Sequence, residues 1–229
     1  MKKIGMVFAL LAASILFTGC GNNVVLKSQK DKASYTLGVS VGKNLKGSGL
    51  EINKKALFRG IADGLADKKN LLSDGEMQEI FAATQQEIMI KQQERSAQQG
   101  AKNKQEGEAY LTANKKKPGV ITLPSGLQYK VIKEGGGRSP KITDTVLAHY
   151  RGTLIDGTEF DSSYKRGQAA SFPVSGVIRG WTEALQMMKV GSKWELYIPA
   201  DLAYGEQGAG QMIGPNAVLI FEVELVGIK

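Results

Sequence analysis

All six prolines of this 229-residue chain lie at or beyond Pro118. The residue that lacks a backbone donor and breaks helix interiors is therefore absent from the first half. Gly119 follows Pro118 directly, and such a pair marks a break. Beyond it glycine, valine and aromatic residues become more frequent. The chain reads as two regions, a helical one over 31–117 and a compact β-rich one over 118–229, which its length permits.

Periodicity supports the helical reading. Leu37, Val41 and Leu45 recur every four residues and share one helix face. Gly38 and Gly42 have the same period, which either admits a closely packed second backbone or merely weakens the helix. Asn53 can cap a second helix with an apolar face of Leu57, Ile61 and Leu65, flanked by Phe58 and Ala62. Ser73-Asp74-Gly75-Glu76 has capping-box spacing and opens a third helix. Its stripe of Met77, Ile80, Phe81, Thr84 and Ile88 then fades into Gln, Lys, Glu and Ala from Lys91 to Asn114. If continuous, this helix is about 42 residues and roughly 60 Å long. Gly100 and Gly107 read as soft spots. With no sustained apolar seam, the polar part is expected to be a solvated strut. So few apolar positions make a poor core alone. Either a second copy of the chain buries the stripes, as a homodimer, or the helices pack on the C-terminal half.

The N-terminus is a separate problem. Lys2 and Lys3 precede an apolar run from Ile4 to Phe17, then Thr18, Gly19 and Cys20. The run is short of the roughly 20 residues of a membrane span and fits a secretion signal. Cys20 is the only cysteine, and its setting resembles a bacterial lipobox cleaved after Gly19. Phe17 stands where that pattern prefers leucine. A lipidated Cys20 would anchor the chain stably through several acyl chains. Gly21, rather than aspartate, after the cysteine resembles an outer-membrane address.

Composition excludes several chemistries. One cysteine forbids an internal disulfide, and one histidine, His149, forbids a multi-histidine metal site. The net charge of +8 includes two leader lysines. The rest is scattered, without an Arg-rich arm or an aromatic–basic stripe, so nucleic acid is not an expected partner.

In the second region, strand candidates are 127–132, 146–154, 193–198 and 218–226, and Trp181 to Met188 reads as a short amphipathic helix. An α+β fold with a mainly antiparallel sheet holding one helix follows. Here the order of motifs becomes specific: Leu127-Gln128-Tyr129, Ala148-His149-Tyr150-Arg151-Gly152, and Asp156-Gly157-Thr158-Glu159-Phe160-Asp161-Ser162-Ser163. Then come Val177-Ile178-Arg179-Gly180-Trp181, Ala203-Tyr204-Gly205, Ile213-Gly214-Pro215-Asn216 and Leu219–Leu225. This ordered set resembles the FK506-binding-protein (FKBP) family of peptidyl-prolyl cis–trans isomerases over about the last 110 residues. The helices resemble the dimerisation and stalk region of the macrophage-infectivity-potentiator and FkpA-like subgroup.

The resemblance implies a site. Trp181 would floor a pocket walled by Tyr150, Phe160, Val177, Ile178 and Phe221, with Phe172 matched across a small insertion. The Ile178 N–H and Tyr204 hydroxyl would hold substrate carbonyls. Asp161 would sit at the rim, paired with Arg166. His149 alternates with Tyr150 along a strand and is read as structural. Around Ala209, the loop 206–214 has glycine, alanine and glutamine where small eukaryotic members carry histidine nearby. The implied activity is isomerisation of X-Pro bonds in envelope or secreted proteins, without cofactor or metal. Implied partners are proline-containing polypeptides, a second copy of the chain and FK506-like macrolides. The other function to weigh is a dimeric holdase chaperone whose isomerase activity is incidental. The expected organisation is a signal peptide over 1–19, a lipidated tether over 20–30, a helical dimerisation domain over 31–90, a long connecting helix over 91–117 and an isomerase domain over 118–229.

Overall fold

A computed structural model describes residues 24–229. The expected signal peptide and Cys20 lie outside the described residues. Among the described residues, no helix is long and apolar enough to cross a membrane. The described residues divide into two compact units, 24–52 and 53–229.

The first unit holds α1 (Gln29–Ser48). Its start falls inside the polar stretch read as tether. The Ser28 hydroxyl accepts the Asp31 N–H, and the Asp31 carboxylate accepts the Ser28 N–H, a capping box with a shorter acid than usual. Gly49, at φ 77°, closes the helix in the left-handed region. No residue of α1 is buried, and Leu37 and Val41 are exposed.

In the second unit, Asn53 caps α2 (Lys54–Leu65) as its sequence requires, its carbonyl oxygen accepting the N–H groups of Lys55 and Ala56. Ser73 and Glu76 exchange the expected hydrogen bonds and open α3 (Asp74–Asn114), which runs 41 residues and passes residues 90 and 91 without a break. The polar part of α3 is exposed over most of its surface, as a strut, but one face is docked. Gly100, Gly107 and Asn114 are buried, the glycines against Pro215, Asn216 and Val218 and Asn114 against Gln128. Gly100 and Gly107 are sites of close approach rather than soft spots.

The sheet comprises β1 (Val120–Thr122), β2 (Gln128–Lys133), β3 (Thr145–Leu154), β4 (Glu159–Ser162), β5 (Ala170–Pro173), β6 (Lys193–Ile198) and β7 (Leu219–Ile228). Its order is β1-β2-β6-β7-β3-β4, with β5 also on β3, and every pairing is antiparallel. The ten-residue strands β3 and β7 pair from Val146–Ile228 to Leu154–Leu219 and form its centre. Along β3, Val146, Ala148 and Tyr150 alternate inward, as a half-buried strand must. The helix α4 (Arg179–Met187) lies on that inner face and buries Trp181, Ala184 and Leu185. Its close approach depends on Gly180, where a Cβ would meet the Ile198 side chain at 2.5 Å.

Candidate active site

The antiparallel pairing puts the aromatic residues of distant segments on one face. Tyr150 comes from β3, Phe160 from β4, Phe172 from β5, Trp181 from the first turn of α4 and Phe221 from β7. Trp181 is the common neighbour of three of them and only 4% exposed. Tyr150, Phe172 and Phe221 stand nearly edge-on to it, with centroids at 5.4, 5.5 and 5.2 Å. Phe160 meets Phe221 edge-on at 5.4 Å. Such edge-to-face contacts lock ring orientations, each worth about 0.5–1.5 kcal/mol beyond burial. The Trp181 indole N–H is buried with no protein partner.

These rings, with Asp161, Val177, Ile178 and Tyr204, line a cavity of about 640 Å³. Nine of the ten residues expected in the pocket thus line one space. The tenth, Arg166, stands beside it: one guanidinium nitrogen donates to the Asp161 carboxylate, and another donates to the Tyr150 hydroxyl oxygen at 2.6 Å. The Tyr150 hydroxyl in turn donates to the other Asp161 oxygen, and the Ser162 N–H donates to the carboxylate at 2.8 Å. Burial pushes the Asp161 carboxyl up, but the hydrogen bonds from Tyr150 and Arg166 outweigh it and hold the group below its ordinary value. Burial and the bond to this anion hold the Tyr150 hydroxyl above its own. The rim is therefore a fixed carboxylate with its acceptor positions occupied. It is poor as a proton shuttle and suited to orienting Tyr150.

Ile178 precedes α4 in an extended conformation, its carbonyl accepting from Trp181 and Thr182. No acceptor among the described residues takes the Ile178 N–H. Tyr204, which also lines the cavity, is 41% exposed. His149 lies on the other face of β3, stacked on Tyr164 at 5.0 Å with Nδ1 3.2 Å from Ser163 Oγ, and does not reach the cavity.

Sequence reasoning missed part of the lining. Gly176 also borders the cavity, as do Ala209, Gly210 and Ile213 of the 206–214 loop, a loop that overhangs the pocket by the family resemblance but whose lining residues were not named individually. It also missed the function of Gly152, where a Cβ would lie 2.6 Å from Phe160 and 2.7 Å from Phe221. The glycine two residues after Tyr150 was the available signal, since a small residue amid aromatics leaves room for rings to cross the strand.

Residues 136–226 match the model of FKBP-type peptidyl-prolyl cis-trans isomerase, and residues 30–131 match that of the domain amino terminal to it. The chain is 48% identical to Outer membrane protein MIP of Legionella longbeachae, covering 89% of this chain and 88% of that protein. It is 44% identical to the peptidyl-prolyl cis-trans isomerase Mip of Coxiella burnetii over 100% of this chain and 99% of that one. Among solved structures, FkpA from Escherichia coli is similar at a TM-score of 0.69 and 40% identity, covering 90% of this chain and 99% of that chain.

Proposed function

The chain belongs to the FKBP-type peptidyl-prolyl cis–trans isomerases, and from that premise we propose that its aromatic cavity takes the proline of a polypeptide and favours the twisted X-Pro amide. The observation that carries this reading is the edge-on ring set around Trp181 facing an unengaged Ile178 N–H. Rotation of the amide faces a barrier of about 18–20 kcal/mol, because the C–N bond must lose its double-bond character. A site that binds the twisted amide better than the planar one lowers that barrier, by a factor of ten in rate for each ~1.4 kcal/mol of preference. The proline ring sits over the Trp181 floor between Tyr150, Phe160, Phe172 and Phe221. The Ile178 N–H and the Tyr204 hydroxyl donate to substrate carbonyls. Asp161, fixed by Arg166, holds Tyr150 and faces the twisted carbonyl. No covalent bond to the enzyme forms at any step. FK506-like macrolides fit the same cavity as competing ligands.

The test is cis/trans exchange on a short X-Pro peptide, using residues 21–229. The intact protein accelerates exchange, and Trp181→Ala with Asp161→Ala abolishes the acceleration. A protein that leaves exchange at the uncatalysed rate overturns the reading.

The same proposal places the chain in the cell envelope of a bacterium, with lipid on Cys20 as its anchor and clients among envelope or secreted proteins. The relative's name, Outer membrane protein MIP, supports that location. Homodimerisation is supported by large apolar side chains left open in the single chain, with Phe58 and Phe81 each 65% exposed. The second reading, a holdase chaperone, draws on these exposed side chains. It predicts that aggregation suppression survives pocket substitutions and falls when residues 31–117 are deleted.

A further inference from the structure

The segment joining β6 to β7 has two faces. Its tip, Ala209, Gly210 and Ile213, lines the aromatic cavity. Its base, Gly214 to Val218, lies against α3. The tip is internally rigid: Ala209 and Ile213 exchange both backbone hydrogen bonds, at 2.8 and 3.2 Å. The base is closed by the Asn216 N–H donating to the Gly205 carbonyl at 2.8 Å. A rigid tip on a closed base moves as one body, so whatever fixes the base aims the tip.

Side chains and backbone of α3 fix the base. Asn103 donates from Nδ2 to the Pro215 carbonyl at 2.7 Å, two residues from Ile213. Its Oδ1 accepts from Gln99 Nε2 at 2.7 Å, which orients the amide for that donation. Asn216 Nδ2 reaches the Gly100 carbonyl at 3.4 Å. On either side of Asn103, the helix comes as near as its backbone allows. A Cβ on Gly100 would lie 3.1 Å from Pro215 Cβ, and one on Gly107 would lie 2.6 Å from Val218 Cγ2. Positions 100, 103 and 107 recur at spacings of three and four, so they share one helix face.

We propose that α3 is part of the isomerase site, and that Asn103 is a positioning residue that sets the wall formed by Ala209, Gly210 and Ile213 through the Pro215 carbonyl. The inference rests on the cavity being the isomerase site. Binding a substrate against this wall also stabilises the Asn103 contact, because coupling between two places is reciprocal.

The test uses the full chain with Asn103→Asp, near-isosteric but without the donor, and Asn103→Gln, which keeps it. Exchange is measured on a tetrapeptide. Losing one hydrogen bond that only positions the wall raises KM roughly three- to fivefold with kcat changed less. Asn103→Gln restores part of the loss. Amide 1H–15N resonances of Ala209, Gly210 and Ile213 shift in Asn103→Asp without any ligand present. Unshifted resonances overturn the proposal whether or not the protein is active. Equal falls in kcat and kcat/KM, accompanied by a lower melting temperature in both variants, mean general loosening and overturn it too. Absence of catalysis in the parent chain defeats the isomerase reading instead, and the resonances still decide the coupling.

Discussion

The two ends of α3 use one helix in opposite ways. Its first turns carry large apolar residues, yet Ile80 and Phe81 stay open in the single chain. Its last turns carry glycine and asparagine, and there Gly100, Gly107 and Asn114 are buried. Burial here follows distance rather than hydrophobicity. Residues without large side chains let the helix axis come close enough for a sheet loop to cover it. The bulky stripe is the surface that the proposed homodimer would cover.

That contrast can be broken most decisively at the apolar end. Phe58→Glu with Phe81→Glu places two charges in the proposed homodimer contact. Sedimentation is expected to move from dimer to monomer while the sheet region keeps its near-ultraviolet circular dichroism. An unchanged mass would remove the homodimer from the proposal.

The same substitution at the two ends of the helix sharpens it further. A Cβ at Gly107 meets Val218, whereas one at Gly75 meets nothing within 4 Å. Gly107→Ala is expected to destabilise by about 1–2 kcal/mol in denaturant melts, the overpacking cost exceeding the gain in helix propensity. Gly75→Ala is expected to stabilise, by at most about 1 kcal/mol. Equal signs at both positions would mean that α3 does not dock as described.

Asn114 tests the polar part of the seam. Its Nδ2 donates to Gln128 Oε1 at 3.0 Å, while Gln128 Nε2 donates to the Leu111 carbonyl at 2.9 Å. Asn114→Ala strands a buried acceptor and is expected to cost about 1–3 kcal/mol. Thermal melts give the measurement, and no change would show that water replaces the amide.

Acid should separate the two ends with the smallest effect of all at neutral pH. Hydrogen bonds from the Ser73 backbone and hydroxyl hold the Glu76 carboxyl below its ordinary value. A carboxyl lowered on folding contributes stability above its unfolded pKa, and the contribution is lost as pH falls through the folded value. The first turn of α3 should therefore fray only below about pH 4. The seam of Gly, Asn and Gln has nothing to titrate. Asp161, also held low, keeps catalysis level from about pH 5 to 8. Hydrogen exchange on the helix and a pH–rate profile check both expectations.

Local signals explain what was legible. Asn53 and the Ser73–Glu76 pair cap helices through residues three positions apart or fewer, so the chain needs no distant partner to show them. The runs that became β2, β3, β6 and β7 were likewise long enough to be named as strands. The edge strands β1, β4 and β5, three or four residues each, were too short for alternation to declare them. Seven-residue spacing of Gly100, Gly107 and Asn114 was present in the sequence but carried no apolar signal, so the seam read as solvent-facing.

The sequence alone determined where α2 and α3 start, where the longer strands lie and, by resemblance, which aromatic residues belong together. These follow from local hydrogen bonds, side-chain period and an ordered set of motifs. Tertiary structure alone decided that Trp181 is the shared neighbour of three rings and that loop 205–216 is held from behind by α3. Both depend on how near separate segments come, and that distance is set by their packing, for the loop between segments more than a hundred residues apart.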